Sequence, residues 1–297
     1  MRIFVTGANG QLARALRNAV SQQAGLDLRF GARPELDLAR PETVRAPILD
    51  FAPDLVVNTA AYTAVDRAES EPDLAFAVNG AGAGAVAAAA AEAGAVMIQL
   101  STDYVFDGTK TAPYVEDDPV APQSVYGRSK LEGELAASAA NARVIVLRTA
   151  WVFAPHGANF VRTMLRLAAE RERLRVVDDQ IGCPTYAPDI AAAILAMARR
   201  IESDSWRDSF AGVSHLAGPD AVSWCEFARR ILDESGRRGG RVVPVDPIAT
   251  ADYPTAAIRP TNSRLSTERV ARIFGVAMRP LDDALRDCFD LMGAGGV

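Results

Sequence analysis

The chain has 297 residues, a formal net charge of −5, 49% hydrophobic residues and 23% charged residues. This composition supports a sizeable buried core in one large or two modest domains, and it excludes a chain that is disordered throughout. The acidic balance argues against a surface that binds a nucleic-acid polymer.

Cysteine and histidine usage limits the site chemistry. The three cysteines lie far apart without a C-x-x-C motif, so we predict no disulfide framework and a reducing, cytoplasmic location. There are two histidines and no Cys/His cluster, and we predict no protein-bound metal. The apolar stretch 80–98 contains Glu92 and Gly94, which favours a helix followed by a strand over a membrane-spanning segment, and we expect no membrane partner.

The first half alternates short apolar runs with helical segments. Strands are predicted at Arg2–Val5, Leu26–Gly31, Leu55–Asn58, Ala95–Ser101 and Arg143–Thr149, and helices at Gln11–Ala24, Thr43–Phe51, Ala75–Ala93 and Tyr126–Ala140. Continuous apolar strands separated by helices are typical of a parallel sheet covered on both faces. The sequence therefore predicts an α/β fold with a Rossmann-like doubly wound sheet.

The second half is less regular. Helices are predicted at Asn159–Arg173, Pro188–Arg200, Ser263–Phe274 and Leu281–Leu291, with short strands at Leu174–Val177 and Val213–Leu216 that we expect to return to the main sheet. We predict a dinucleotide-binding domain at 1–150, with returning elements at about 158–178 and 188–217. A smaller C-terminal α/β substrate lobe would comprise about 151–157, 179–187 and 218–297.

A glycine turn follows the first strand. Gly7, Gly10 and Ala13 form the spacing G-x-x-G-x-x-A between this strand and a predicted helix. The first glycine permits a tight turn, the second lets the backbone approach a pyrophosphate, and the small third residue lets the helix pack on the strand. The turn predicts dinucleotide binding at the helix N-terminus.

The end of the second strand bears on the choice of cofactor. Phe30–Arg33 offers no carboxylate for an NAD ribose, whereas Arg33 could bind the 2′-phosphate of NADPH. We therefore predict NADPH and leave NADH open, since Arg33 is also one of many surface arginines. Asp37 and Leu38 follow and either border the adenine or form a plain loop.

Three residues fit the reduction of a ketone. Thr102 lies at the carboxyl end of a predicted strand, and Tyr126 and Lys130 are four apart on a predicted helix, so they face the same way. Tyr126 would donate a proton, Lys130 would lower its pKa, and Thr102 would hydrogen-bond the developing alkoxide. An exposed Tyr–Lys pair without function is the alternative.

These motifs resemble the dTDP-4-dehydrorhamnose reductases, a family of extended short-chain dehydrogenase/reductases. The similarity spans nearly the whole chain and rests on the stretches Asn58–Asp66, Ser101–Gly108, Tyr126–Lys130, Arg148–Phe153, Asp179–Thr185 and Arg259–Leu265, together with the glycine turn. The resemblance implies reduction of the 4-keto group of dTDP-4-dehydro-6-deoxy-L-mannose with NADPH or NADH to give dTDP-L-rhamnose.

The resemblance also implies roles for individual residues. The catalytic residues would be Thr102, Tyr126 and Lys130. Cofactor contacts would come from Gly7, Asn9, Gly10, Gln11, Leu12, Arg33, Asp37, Leu38, Ala60, Ala61, Tyr62, Thr63, Tyr126 and Lys130. Substrate contacts would come from Thr102, Asp103, Trp151 and Arg259, with Arg148 and Arg264 as weaker candidates for the diphosphate. Trp151 is alternatively a core aromatic at a domain seam.

The sequence departs from the family in one respect. Some members carry glutamates that bind magnesium at a dimer contact, whereas 13–15 and 186–188 offer no matching carboxylate here. A metal-bridged dimer is therefore not expected, and a homodimer through other surfaces stays open.

Two other functions remain open at this point. One is a non-catalytic NADP-binding subunit that resembles the regulatory β subunit of methionine adenosyltransferase. The other is a reductase or epimerase of another nucleotide sugar. An intact set of Thr102, Tyr126 and Lys130 favours catalysis, because a binding module needs no tuned proton donor.

Overall fold

The computed structural model describes residues 1–21 and 25–294. The elements of its first half are β1 (Arg2–Thr6), α1 (Gln11–Val20), β2 (Asp27–Gly31), α2 (Arg45–Phe51), β3 (Leu55–Asn58), α3 (Val65–Ala68), α4 (Pro72–Phe76), α5 (Gly82–Glu92), β4 (Val96–Thr102), α6 (Val125–Ala140) and β5 (Val144–Thr149). A π-helical segment, Ala77–Ala81, joins α4 to α5, and a 3₁₀ turn, Asp103–Val105, follows β4.

The second half consists of shorter elements. They are β6 (Val152–Phe153), α7 (Phe160–Glu170), β7 (Leu174–Val177), β8 (Ile181–Gly182), β9 (Thr185–Tyr186), α8 (Ala187–Asp204), β10 (Gly212–His215), β11 (Val222–Ser223), α9 (Trp224–Arg237), β12 (Val245–Ile248), β13 (Asn262–Ser263), α10 (Glu268–Phe274) and α11 (Leu281–Ala294).

Six parallel strands form the central sheet in the order β2-β1-β3-β4-β5-β10. β3, β4 and β5 are buried along their whole length, which is why their sequences are continuous apolar runs rather than alternating ones. The chain places β2 on one side of β1 and then crosses to place β3 on the other side. Because the strand order reverses there, a crevice opens at the carboxyl ends of β1 and β3. The predicted doubly wound Rossmann-like α/β fold is confirmed.

Helices cover both faces of the sheet. Apolar side chains of α1, α8 and α10 pack on one face and those of α2, α5 and α6 on the other. The continuous helical stretch Pro72–Glu92 is long and apolar enough to cross a membrane by length and composition alone. In this fold its residues Val86, Ala87 and Ala90 are buried in the core beneath the sheet.

A second core forms the smaller lobe. Apolar residues of α7, α9 and α11 pack around Phe153, Leu174 and Tyr186 in this lobe. The prediction that Leu174–Val177 returns to the main sheet is wrong, because this strand pairs in parallel with β12, and α7 before it packs on α9. The segment 158–178 therefore lies with the second core. The other expected return is confirmed, since β10 pairs with β5.

Several predicted helices differ from the structure at an end. The helix predicted over Ser263–Phe274 begins only at Glu268, because Asn262 and Ser263 pair with β8 as β13. The helix predicted to reach Ala24 ends at Val20. Residues 22–24 lie outside the described part of the chain.

Candidate active site

The glycine turn forms an open cradle before α1. Gly7 has φ +84°, its N–H donates to the carbonyl of Gly31 at 2.8 Å, and a Cβ there would come within 3.2 Å of Ala60. Gly10 precedes α1, where a Cβ would meet open space. The first turn of α1 has no side-chain cap and no acidic residue, so its N–H groups and positive dipole end face outward without a local anion. This cradle fits the diphosphate of a dinucleotide.

The residues after β2 border the same turn. Arg33 is exposed and has no hydrogen bond or ion pair within residues 1–21 and 25–294. Asp37 shapes its loop, because its carboxylate accepts from the N–H of Ala39 at 3.1 Å. Leu38 is buried against the start of α5, where a Cβ on Gly82 would lie 2.6 Å from the Leu38 carbonyl oxygen. The guanidinium of Arg33 is thus available for a ligand and Leu38 forms part of the wall.

Buried polar side chains link the carboxyl ends of β1 and β3 to the middle of β4. The hydroxyl of Thr6 donates to the Asn58 amide oxygen at 2.5 Å, and the Asn58 amide donates to Gln99 at 2.7 Å. Each of these residues is 1% exposed or less. Because buried polar groups need partners, these hydrogen bonds fix the carboxyl ends of β1 and β3 relative to β4.

The π-helical segment contributes a residue that the sequence analysis missed. The amide oxygen of Asn79 accepts from the N–H of Tyr62 at 2.8 Å, and its amide group donates to the Tyr62 carbonyl at 3.0 Å and to the Ser129 hydroxyl at 2.9 Å. Asn79 thereby ties the stretch after β3, which holds Ala61, Tyr62 and Thr63, to α6. In the sequence, the one signal for this role is a polar residue within an Ala/Gly-rich helical stretch.

Thr102 and Tyr126 come together at the end of β4. The Thr102 hydroxyl accepts from the N–H of Tyr104 at 3.2 Å and contacts Asp103 Oδ1 at 3.1 Å. The ring of Tyr126 packs edge-on against Tyr104, with centroids 5.5 Å apart. Burial raises the pKa of Tyr126 to about 12, while its hydrogen bond with Thr102 acts in the opposite direction. At neutral pH the Tyr126 phenol is therefore protonated and can donate.

Lys130 lies one turn further along α6 and is only 4% exposed. Its ammonium donates to the carbonyl of Leu100 at 2.6 Å. Burial lowers the pKa of Lys130 to about 8, and Glu134 opposes that effect. In this structure burial dominates the Tyr126 pKa and the Lys130 ammonium donates to Leu100, so the lowering of the Tyr126 pKa by Lys130 stays a prediction.

Asp103 is a buried carboxylate beside this pair. Burial raises its pKa to about 6, although hydrogen bonds with Ser263 and Thr102 partly offset the effect. Its second oxygen, Oδ2, has no hydrogen-bond partner in the part of the chain that the structure describes. A polar group of a ligand would satisfy this oxygen.

Trp151 lies at the junction of the two lobes. It has φ +47°, and its indole stacks on that of Trp224 with centroids 3.4 Å apart and planes at 7°. Gly182 packs beneath it, where a Cβ would fall 2.3 Å from the ring. Trp151 is partly exposed, so it combines the two roles weighed for it, a seam aromatic and an accessible apolar surface.

A cleft of about 550 Å³ opens in the second lobe, lined by Trp224, Phe160, Arg175, Gln180, Tyr253 and Arg259 among others. Arg259 reaches across the lobes and donates to both carboxylate oxygens of Asp66 on α3, at 3.0 and 2.7 Å. This pairing lowers the pKa of Asp66 and raises that of Arg259. Burial raises the pKa of Tyr104, and the nearby Arg259 guanidinium partly offsets that rise.

The two weaker arginine candidates have other partners. Arg148 is buried in a two-bond pair with Glu134, with distances of 2.9 and 2.6 Å, so it does not face the cleft as a free cation. Arg264 donates to Asn262 Oδ1 at 2.8 Å and to the carbonyl of Thr111. In residues 1–21 and 25–294 no three His, Cys, Asp or Glu side chains are grouped as metal ligands.

Comparison with known proteins places this geometry in a family. The family model described as RmlD substrate binding domain matches residues 1–293. A dTDP-4-dehydrorhamnose reductase of Sinorhizobium fredii is 48% identical over 286 residues, which cover 96% of each chain.

Two solved structures have the same fold over nearly their whole length. A dTDP-4-dehydrorhamnose reductase from Clostridium acetobutylicum is 35% identical with a TM-score of 0.90, and the match covers 99% of this chain and 100% of that one. One from Bacillus anthracis, in complex with NADP, is 34% identical with a TM-score of 0.88 and coverages of 98% and 99%. The chain therefore belongs to the RmlD substrate binding domain family, that of the dTDP-4-dehydrorhamnose reductases.

Proposed function

We propose that the protein reduces the 4-keto group of dTDP-4-dehydro-6-deoxy-L-mannose with NADPH and forms dTDP-L-rhamnose. The observation that carries the proposal is the convergence of Thr102, Tyr126 and Lys130 at the carboxyl end of β4, in the same molecule as an uncapped phosphate turn at β1. A relative that is 48% identical over 96% of both chains has this activity in its name.

The chemistry requires one hydride and one proton. When bound, NADPH supplies the hydride that reaches the carbonyl carbon. The phenol of Tyr126 holds the proton that passes to the carbonyl oxygen, and its pKa of about 12 keeps that proton in place until negative charge develops there. The hydroxyl of Thr102 hydrogen-bonds the same oxygen, and the Lys130 ammonium stabilises the phenolate that Tyr126 leaves behind.

The residues of the cradle have separate tasks. Gly7, Asn9, Gly10, Gln11 and Leu12 surround the diphosphate at the start of α1, and the exposed guanidinium of Arg33 binds the 2′-phosphate of NADPH. Asp37 and Leu38 border the adenine. The stretch Ala60–Thr63, held by Asn79, lines the groove toward the nicotinamide.

The second lobe supplies the substrate contacts. Trp151 presents an apolar face to the deoxysugar and Asp103 accepts a hydrogen bond from a sugar hydroxyl through its unpartnered oxygen. Arg259, fixed by Asp66, provides a cation for the diphosphate of the dTDP group. The cleft between α7, α9 and Arg259 has room for the nucleotide. The two lobes thus divide the contacts as the predicted domains do, except that 158–178 belongs to the substrate lobe and not to the dinucleotide-binding domain.

A non-catalytic regulatory subunit is not favoured, because relatives over 96% of the chain are reductases by name and the complete catalytic set is present. Three buried free cysteines, Cys183, Cys225 and Cys288, suit a reducing compartment, and the proposed site of action is the cytoplasm.

Substitution of the proton donor tests the function. With the dTDP-keto sugar and NADPH, Tyr126→Phe should lower kcat about 10²- to 10⁴-fold because the alkoxide then lacks its acid, while the variant still binds NADPH, as measured by fluorescence titration. Tyr114→Phe is the matched control, since its hydroxyl bonds Asp107 at 2.7 Å outside the proposed site. Turnover of the keto sugar that equals the wild type in Tyr126→Phe would refute this assignment.

A further inference from the structure

A buried charged cluster lies directly behind the proposed catalytic residues. Glu134 follows Lys130 by one turn on α6, and Arg148 stands on β5 opposite Ser101 of β4. Ser101, Lys130, Glu134 and Arg148 are each 5% exposed or less. Lys130 and Arg148 are both cations, so Glu134 is the anion that compensates them within this cluster.

The hydrogen bonds of Glu134 connect the catalytic helix to two strands. Its carboxylate accepts two bonds from the Arg148 guanidinium and one from the Ser101 hydroxyl. Ser101 directly precedes Thr102, and Glu134 shares α6 with Tyr126 and Lys130. The carboxylate is thus held in a fixed position at the point where all three proposed catalytic residues are anchored.

We propose that Glu134 is a positioning residue for the reduction, whose buried carboxylate, fixed by Arg148 and Ser101, supplies the counter-charge that keeps Lys130 cationic. Removal of an anion from a low-dielectric site leaves the remaining cation without compensation, and the cation then releases its proton more readily. This inference rests on the proposed catalytic use of Lys130, although the charge of Lys130 can be measured independently of that use.

Other charged groups near α6 do not replace Glu134. The titratable groups on α6 and on the elements packed against it are Tyr126, Arg128, Glu132 and Glu134 on α6, Asp66 and Arg67 on α3, Asp73 on α4, Glu92 on α5, Asp103 and Tyr104 on the turn after β4, and Arg148 on β5. Among these the charge that acts on Lys130 is Glu134, which raises its pKa against the effect of burial.

The composition of the chain makes a direct measurement feasible. Lysine occurs only at Lys110 and Lys130, so protein labelled with ¹³C at the lysine ε-carbon gives two signals. Lys110 forms an ion pair with Asp118 at 2.5 Å away from this cluster and serves as an internal reference. In Glu134→Gln the midpoint of the Lys130 titration should move to lower pH by about one pH unit, with Lys110 unchanged. Glu132→Gln, an exposed position on the same helix, should leave both signals in place.

Kinetics supply the second readout. The loss of kcat/KM in Glu134→Gln should grow with pH, to about fivefold at pH 8 and about tenfold above pH 9, and shrink at lower pH, where Lys130 is protonated again. A merely structural role would give a loss that does not depend on pH. Glu134→Asp, which keeps the charge, should retain the wild-type pH profile.

The outcomes separate the two hypotheses. A folded Glu134→Gln protein in which Lys130 titrates as in the wild type overturns this inference, whatever its activity. A shifted titration in an enzyme that never reduces the keto sugar overturns the proposed function instead. Should Glu134→Gln fail to fold, the double variant Glu134→Gln/Arg148→Met removes the buried charge pair together, and its Lys130 signal should move in the same direction by less, because the Arg148 cation is removed as well.

Discussion

Two buried groups in the candidate site hold charges under unfavourable conditions. Asp103 has one oxygen without a partner in the described chain, and its pKa rises to about 6. Lys130 has the opposite sign and a pKa that falls to about 8. In both cases burial is the main cause and disfavours the charged form. A buried charge that is not fully compensated lowers stability, and such charges are typical of residues retained for function.

Asparagine at position 103 should therefore stabilise the protein at neutral pH. Asp103 binds a proton in the folded state between its unfolded pKa, near 3.8, and about 6, so wild-type stability falls as pH rises through this window. Asp103→Asn lacks this fall. The difference in unfolding free energy between the variant and the wild type should therefore grow in favour of the variant by roughly 2 kcal/mol from pH 4 to pH 7. Denaturant unfolding at each pH measures it, with Asp233→Asn at an exposed position as control. An advantage that is constant over this range would contradict the assigned pKa.

At the scale of elements, close contact between helices positions α6. A Cβ on Gly133 would come within 2.0 Å of the Asn79 carbonyl oxygen, and one on Gly127 within 2.2 Å of the Tyr104 carbonyl oxygen. The backbones of α6, the π-helical segment and the turn after β4 therefore touch directly. Because these contacts set the height of α6 over β4, they also set where Tyr126 and Lys130 lie.

Two glycine-to-alanine variants test this close contact. Gly133→Ala should lower the unfolding free energy by about 3 kcal/mol and reduce activity, because its methyl group meets backbone atoms that cannot turn away. Gly293→Ala is the matched helical control, since a Cβ there meets nothing within 4 Å. That variant should be as stable as the wild type or more so, by up to about 1 kcal/mol. Equal thermal unfolding temperatures for the two variants would contradict the contact.

At the scale of the whole molecule, polar contacts join the two lobes on both sides of the site. Arg259, from the segment before β13, forms two hydrogen bonds with Asp66 on α3. On the other side of the site, Asn159 donates to Gln11 Oε1 at 3.0 Å, which connects the second lobe to the start of α1. The lobes thus enclose the site between contacts at the proposed cofactor end and contacts at the proposed substrate end.

Loss of the Arg259 contact should affect the nucleotide sugar selectively. Arg259→Met should raise the KM for the dTDP-keto sugar about ten- to hundredfold, because a charge-assisted bond to the diphosphate is lost, and leave the KM for NADPH nearly unchanged. Steady-state kinetics with each substrate varied in turn measure the two KM values separately. Arg173→Met breaks an exposed ion pair with Asp246 of the same lobe and should change neither value. A uniform rise in both KM values would indicate a structural defect instead.

Sequence patterns predicted the parts of the molecule that local physics determines. The apolar runs of β1, β3, β4 and β5 and the glycine turn specify their own structures, and the i, i+4 spacing brought Tyr126 and Lys130 to one side of α6. The pairing of β7 was not predictable, because its partner β12 contains Pro247 and has no alternating pattern. Nor were the role of Asn79, which needs the π-helical segment, and the pKa of Tyr126, which depends on burial after folding.

The stacked indoles at the junction have an optical consequence. Of the three tryptophans, Trp151 and Trp224 lie face to face beside the cleft, whereas Trp206 lies near Arg143 at the opposite end of the sheet. Replacement of Trp206 by phenylalanine would leave emission that comes only from the stacked pair. Such a protein carries its own fluorescent probe, in which any molecule that inserts beside or between the two rings changes the intensity without a dye.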